Sequence, residues 1–290
     1  MEAIQIICLT LYLILAPVGG FLLAGADRIV TARMQRRKGP PIMQPYYDVR
    51  KLMRKEASTV NGVQDFYVMC SMIAMIVTGG IFFAGGDLLL VIFTLTLSAV
   101  LLAVAAFSSN SPYAQIGAER ELYMMMAYEP MVIFTVIGLY IVTGSFNVSD
   151  IIAGDRMPIL YLAGIFLGFT FILTIKLRKS PFDLSMSHHA HQELVKGMTT
   201  EFSGKTLAMV EILHWYENIL LLGIVFLFFC DGTLWACVLG IAVCVIVYVF
   251  EILIDNTFAR MKWQVVLKSS WMIALIFGIG NIALLYLVGV

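Results

Sequence analysis

Charge is the first thing this chain lacks. Only 13% of its 290 residues are Asp, Glu, Lys or Arg, while 60% are hydrophobic. Soluble domains carry roughly a quarter charged residues, so a freely soluble globule is excluded. Net charge is zero, and no bulk basicity argues for nucleic acid. Cysteine pairs are also missing. Cys8, Cys70, Cys230, Cys237 and Cys244 all lie in apolar runs, and none forms Cys-x-x-Cys. Iron–sulfur and zinc spacing are therefore absent, and the five read as small packing residues. The N-terminus has Glu2 and no positive n-region, and its apolar run is long enough to span. It reads as a retained first helix rather than a signal peptide. Ser203 to Thr206, "SGKT", ends like a phosphate-binding loop, but Thr199 stands where the upstream glycine would have to be. No spacing suggests a Ser-His-Asp or Cys-His arrangement or a haem pair. No internal repeat supports an inverted-repeat transporter.

What is present is a series of long apolar runs. Mean hydropathy is +0.91, and a spanning helix needs about 20 apolar residues. Eight spans can be placed, at 4–26, 65–84, 88–107, 122–143, 158–177, 207–229, 234–254 and 267–288. Each must be helical, because backbone in lipid has to satisfy its own hydrogen bonds. The period-two alternation of a membrane barrel is missing. The expectation is an all-α integral membrane protein, a single polytopic domain over 1–290, with both termini outward.

Sidedness follows from the basic residues. With eight spans, 18 of the 19 Lys and Arg fall in or beside the loops 27–64, 108–121, 178–206 and 255–266, and only Arg156 lies opposite. The positive-inside rule makes those loops cytoplasmic, so the chain is expected in the cell (inner) membrane. In the first of them, "IMQPYYDVRKLM" (42–53) gives a helix an apolar stripe with Arg50, Lys51 and Arg54 off it, which predicts an amphipathic helix in the membrane interface. Arg33, Arg36, Arg37 and Lys38 just before it would hold a soluble partner or lipid.

Ionisable residues also enter the spans. In the sixth, Glu211, His214, Glu217 and Asn218 share an arc of about 120°. Glu217 and Asn218 lie about 15 Å into the helix, a depth at which charge is costly without a partner or water. Glu129, next to Pro130, enters the fourth span. Glu251, near the inner end of the seventh, suits an interface position as well as a function. Lys176 is expected to snorkel to the cytoplasm. The loop "KSPFDLSMSHHAHQELVKGMTTEFSG" (179–204) gathers Asp183, His188, His189, His191, Glu193 and Glu201. Its histidines fall short of a zinc motif. The loop reads better as an ordered polar segment or the mouth of a proton path, and no metal site is expected.

Three loops carry a resemblance. "RRKGPPIMQPYYDVRKLMRKE" (36–56), "GAERELYMMMAYEP" (117–130) and the 179–204 stretch resemble, in order, the cytoplasmic loops of the membrane anchor subunit shared by respiratory complex I and energy-converting membrane-bound [NiFe] hydrogenases. The resemblance implies eight spans, no redox centre or cofactor on this chain, and a role in seating a soluble electron-transfer arm. It implies as partners the [NiFe] hydrogenase large and small subunits, an iron–sulfur subunit and antiporter-like membrane subunits. Those partners would carry the iron–sulfur clusters and the NiFe centre.

Glu129, Glu193 and Glu201 fall where that family has glutamates. Histidines stand where the quinone-reducing branch has an acidic pair, and "SHHAHQE" with "AMVEILHWYE" looks most like the Ech-type hydrogenase branch. The expectation is a subunit of a ferredoxin-linked, ion-translocating [NiFe] hydrogenase. In it Glu129, Asp183, Glu193, Glu201, Glu211, His214 and Glu217 would form the proton path or coupling element, with His188, His189 and His191 as a loop relay. The alternatives are the quinone-binding membrane subunit of a complex I type enzyme and a stand-alone cation transporter.

Overall fold

Long apolar runs without a partner strand close their hydrogen bonds as helices. The computed structural model of the chain describes residues 2–56, 62–185 and 196–288. Its α-helices are α1 (Glu2–Met34), α2 (Gln44–Met53), α3 (Gly62–Phe83), α4 (Leu88–Phe107), α5 (Pro112–Thr143), α6 (Val148–Ala153), α7 (Ala163–Lys176), α8 (Gly204–Leu227), α9 (Leu234–Thr257), α10 (Trp263–Ile273) and α11 (Gly280–Val288). A π-helical stretch, Ala274–Ile279, joins α10 to α11, so Trp263–Leu287 runs as one helix. Among the described residues there is no strand, only an isolated bridge between Asp87 and Asn147.

Among the described residues, seven helices are long and apolar enough to cross a membrane, in accord with an all-α membrane protein. The fifth expected span is different. α7 has 14 residues, about 21 Å of rise, against a hydrocarbon core of about 30 Å. A one-turn 3-10 helix, Pro158–Leu160, precedes it, and the Ile159 amide donates to the Phe228 carbonyl at the end of α8 (2.8 Å). The run predicted over 158–177 is thus a short helix with a capped, bent approach.

The loop boundaries shift too. Residues 27–34 continue α1, and 112–121 are the first turns of α5, which begins with Pro112 at a position where its missing N–H costs nothing. Hydropathy rises only after 121, so the polar first turns of α5 read as loop in the sequence. The interfacial helix exists as α2, yet it does more than lie on lipid. Val49 packs with Phe21 of α1 and with Ala208 and Trp215 of α8. Arg28 of α1 also pairs with Asp48 at 2.6 Å.

Close backbone approach sets how α1 meets α8. A Cβ on Gly20 would fall 2.7 Å from the Trp215 Cα and carbonyl oxygen, so only glycine fits there. The main hydrophobic core lies where α1, α3–α5 and α7–α9 meet, with Tyr128, Phe169 and Phe228 among its fully buried side chains. Gly20→Val is expected to destabilise the detergent-solubilised protein by about 1–3 kcal/mol through overpacking. Gly62→Ala, where nothing lies within 4 Å of the added atom, serves as the control. A thermal-aggregation midpoint unchanged in Gly20→Val would overturn the close contact.

Candidate functional site

The chain leaves α7 by a sharp turn. Leu177 caps the helix, and Arg178 adopts φ 52°, a left-handed backbone uncommon for a side chain larger than glycine. Arg178 lies between two acids from different helices. Its Nη2 donates to Glu121 Oε1 of α5 (3.0 Å) and its Nη1 to Glu217 Oε2 of α8 (3.1 Å). Lys176 sits close by at the end of α7, its Nζ 3.9 Å from Glu217 Oε1 and 4.2 Å from the centroid of the Tyr128 ring. Glu121, Lys176, Glu217 and Tyr128 are all at most 5% exposed. Two acids and two bases therefore form a neutral, closely packed set. Burial works against the guanidinium charge of Arg178, but Glu121 and Glu217 more than offset it and hold its proton more firmly than usual.

Lys176 corrects the sequence expectation. It does not snorkel, because Glu217 and an aromatic face meet its ammonium inside the bundle. Glu121 and Arg178 escape sequence reasoning altogether. Arg178 reads there only as one more basic residue beside a loop, and Glu121 falls in a stretch read as loop. The heptad spacing of Glu121 and Tyr128 on one face of α5 is the signal that could have exposed the site.

Beside this set lies a polar cavity of about 450 Å³. Asp27 and Thr31 of α1, Glu211, His214 and Asn218 of α8, and Tyr248 and Asp255 of α9 line it, with Lys176, Arg178, Lys179 and Asp183 on the remaining side. The polar arc of α8 is thus real but divided. Glu211, His214 and Asn218 face the cavity, while Glu217 turns to Arg178.

The segment after α7 is fastened at several points. Lys179 pairs with Asp27 and, at 3.6 Å, with Asp255. The Ser180 amide donates to Asp255 Oδ1 (2.8 Å). Asp183 receives a two-pronged contact from Arg260, Nε at 2.9 Å and Nη2 at 3.2 Å. The Met198 amide donates to the Ser185 carbonyl (3.1 Å).

Other expected site residues scatter. Glu129 is half-buried next to Tyr128 and within electrostatic reach of Lys176. Glu201 is exposed, outside both the cavity and the buried set. Arg33, Arg36, Arg37 and Lys38 stand at and beyond the end of α1, and all four are exposed. His188, His189, His191 and Glu193 lie outside the described residues. Among the described residues no three His, Cys, Asp or Glu side chains group so as to hold a metal ion.

Comparison with known proteins places this geometry. The sequence profile of the NADH dehydrogenase family matches residues 4–286. Hydrogenase-4 component C of Escherichia coli (strain K12) is 27% identical, covering 87% of each chain. Formate hydrogenlyase subunit 4 of the same organism is 26% identical over 86% of this chain and 89% of its own. A subunit of the NADH-quinone oxidoreductase of Bacillus cytotoxicus is 29% identical over 95% of this chain and 92% of its own. Among solved structures, a chain of the membrane-bound sulfane sulfur reductase, an archaeal respiratory membrane complex, superposes with a TM-score of 0.83 at 26% identity, covering 96% of this chain and 99% of that one. With the profile running almost end to end and the fold shared, the chain belongs to the NADH dehydrogenase family.

Proposed function

We propose that this chain is the non-redox membrane subunit of a ferredoxin-linked, ion-translocating [NiFe] hydrogenase, and that it couples chemistry in a docked soluble arm to proton or sodium movement. The coarser statement rests on kinship. Its relatives are subunits of hydrogenase, formate hydrogenlyase and NADH-quinone oxidoreductase complexes, so the chain is a membrane subunit of an oxidoreductase complex of that kind. The hydrogenase branch is favoured by the loop histidines His188, His189 and His191, two of which stand where the resemblance places the acidic pair of the quinone-reducing branch.

The observation that carries the coupling is the buried Glu121–Arg178–Glu217–Lys176 set. It lies directly behind the loop that would meet the soluble arm. Arg178 is two residues from the helix end at Lys176 and five from Asp183. A displacement of that loop moves a guanidinium away from two carboxylates in a region of low dielectric. An uncompensated charge there costs several kcal/mol, and uptake or release of a proton is the response that relieves it. Glu129, Glu211 and His214 are close enough to share such a shift through the set and the cavity, with Asp183 as the fastening point of the loop. In this reading Glu193, Glu201 and the loop histidines serve the arm side of the junction.

A quinone reading has one observation in its favour. Tyr248 lines both the polar cavity and a larger apolar groove of about 800 Å³ along α1, α8 and α9, so an amphiphile could lie with its head in one and its tail in the other. A photoreactive quinone that labels this chain in the isolated complex would favour that alternative over the hydrogenase.

Substitutions within the buried set test the coupling. Glu217→Gln leaves the set with one surplus positive charge, so it is paired with the neutral double change Lys176→Met/Glu217→Gln. In inverted vesicles both variants should keep hydrogen formation and lose most ion translocation, and the double variant should assemble at the native yield. Normal pumping by the double variant would sink the assignment. Arg178→Ala leaves Glu121 without a cation and Glu217 with Lys176 alone, and is expected to cost about 3–5 kcal/mol, seen as a steep loss of assembled complex. Arg178→Lys keeps the charge without the two-armed reach and should fall between the native protein and Arg178→Ala. Native yield for Arg178→Ala would show that the set is not what holds α5, α7 and α8 together.

A further inference from the structure

We propose that Glu251 is a proton-binding site separate from the buried ion set, a carboxylic acid that exchanges its proton with the polar cavity past Asp255. The proposal deepens the coupling reading above, and it is tested without measuring pumping.

Glu251 lies six residues from the end of α9, about 9 Å inside it. It is 0% exposed, and no cation or backbone amide donates to its carboxyl oxygens. The groups around it are few. Thr174 on α7 is its polar neighbour, with Lys179 after α7 and Asp255 on α9 within electrostatic reach. None of these is placed to neutralise a carboxylate. Lys179 is engaged by Asp27 and Asp255, and the Thr174 hydroxyl, placed between Glu251 and the Thr170 carbonyl, carries no charge. Ionised, Glu251 would be a buried charge without a counterion, which costs several kcal/mol. The uncharged acid avoids that cost. Glu121 and Glu217 are in the opposite situation, each held by a cation.

Position along the helix supplies the route. Tyr248 and Asp255, three residues before and four after Glu251, share its face of α9, and both line the polar cavity. Glu251 itself does not reach it. A proton therefore has one helical turn, about 6 Å, to travel between Glu251 and the Asp255 carboxylate. Rearrangement of Lys179 between Asp27 and Asp255 would alter the charge that this proton meets. Lys179 is also the residue after Arg178, so a movement of the post-α7 segment reaches both acidic systems together.

Dicyclohexylcarbodiimide, which reacts with protonated carboxyls in apolar surroundings, provides the test. The intact complex in native membranes is treated over a range of pH, and labelled peptides are located by mass spectrometry. The peptide holding Glu251 is expected to be labelled, with labelling lower by at least about tenfold at strongly alkaline than at mildly acidic pH, and unchanged by sodium chloride. Glu251→Gln should lose the label and, as a match for the uncharged acid, assemble at the native yield. In infrared spectra taken across a pH jump, the protonated-carboxyl C=O band should be present in the native complex and weaker in Glu251→Gln. Its loss should slow in Asp255→Asn. Absence of both the label and the band would overturn the proposal, and protection by sodium would replace the proton site with a cation site. Failure of Glu217→Gln to change pumping would leave these readouts as they are, so the two readings fail separately.

Discussion

The arrangement of this molecule turns on one guanidinium. Arg178 reaches acids on α5 and α8 from the end of α7, so it joins three helices that are distant in sequence. In water such pairs are worth little, but inside a protein their worth lies in not being broken. Once Glu121 and Glu217 are buried, each needs a cation. Lys176 cannot serve both, because it stands 3.9 Å from Glu217 and makes no ion pair with Glu121. The left-handed turn at Arg178 is the local cost of pointing this side chain inward instead of along the membrane surface. A non-glycine residue in that region is disfavoured by about 1–2 kcal/mol, below the penalty for leaving the buried Glu121 without a cation.

That constraint explains why the polar face of α8 splits. Glu217 is bound to the buried set, whereas Glu211, His214 and Asn218 line the cavity. The cavity and the set share Lys176 and Arg178 as their common wall. A change of charge on one side is therefore felt on the other across one side chain, without a longer chain of packed residues. This is the physical content of the proposed coupling. In that proposal the element that would move is the segment from Arg178 to Asp183, which is fastened by Lys179 to α1 and α9 and by Arg260 to the connection between α9 and α10.

Much of the fold is legible in the sequence because lipid imposes simple rules. Apolar length locates the spans, and the uneven basic residues support their count. α4 stands at its expected limits, 88–107. The polar arc of α8 is visible because period and depth are properties of a single helix. What stays hidden depends on pairing between helices. Nothing local distinguishes Glu121 from a loop glutamate or Lys176 from a snorkelling lysine, since each is decided by what stands opposite. The same holds for Asp27 and Asp255, whose places in the cavity wall follow from α1 and α9 meeting at one end, where Asn256 donates to Thr31 (3.1 Å). Glu251 suits an interface position equally well in the sequence, and only full enclosure on the α9 inner face separates the two readings.

α9 shows how one helix serves two solvents. Its outer face carries Val238, Ile241, Val245 and Ile246, each more than half exposed, which is a surface for lipid or for apolar neighbouring subunits. Its inner face carries Tyr248, Glu251 and Asp255 in consecutive turns. Charge increases along that inner face toward the basic end: a phenol first, then an acid without a counterion, then a carboxylate held by Lys179 and the Ser180 amide. From Glu251 to Asp255 solvation rises as well, since Asp255 borders the cavity and Glu251 is sealed. On the proposal that Glu251 binds a proton, this gradient of burial and pairing along one helix supplies the direction from which the proton would reach it.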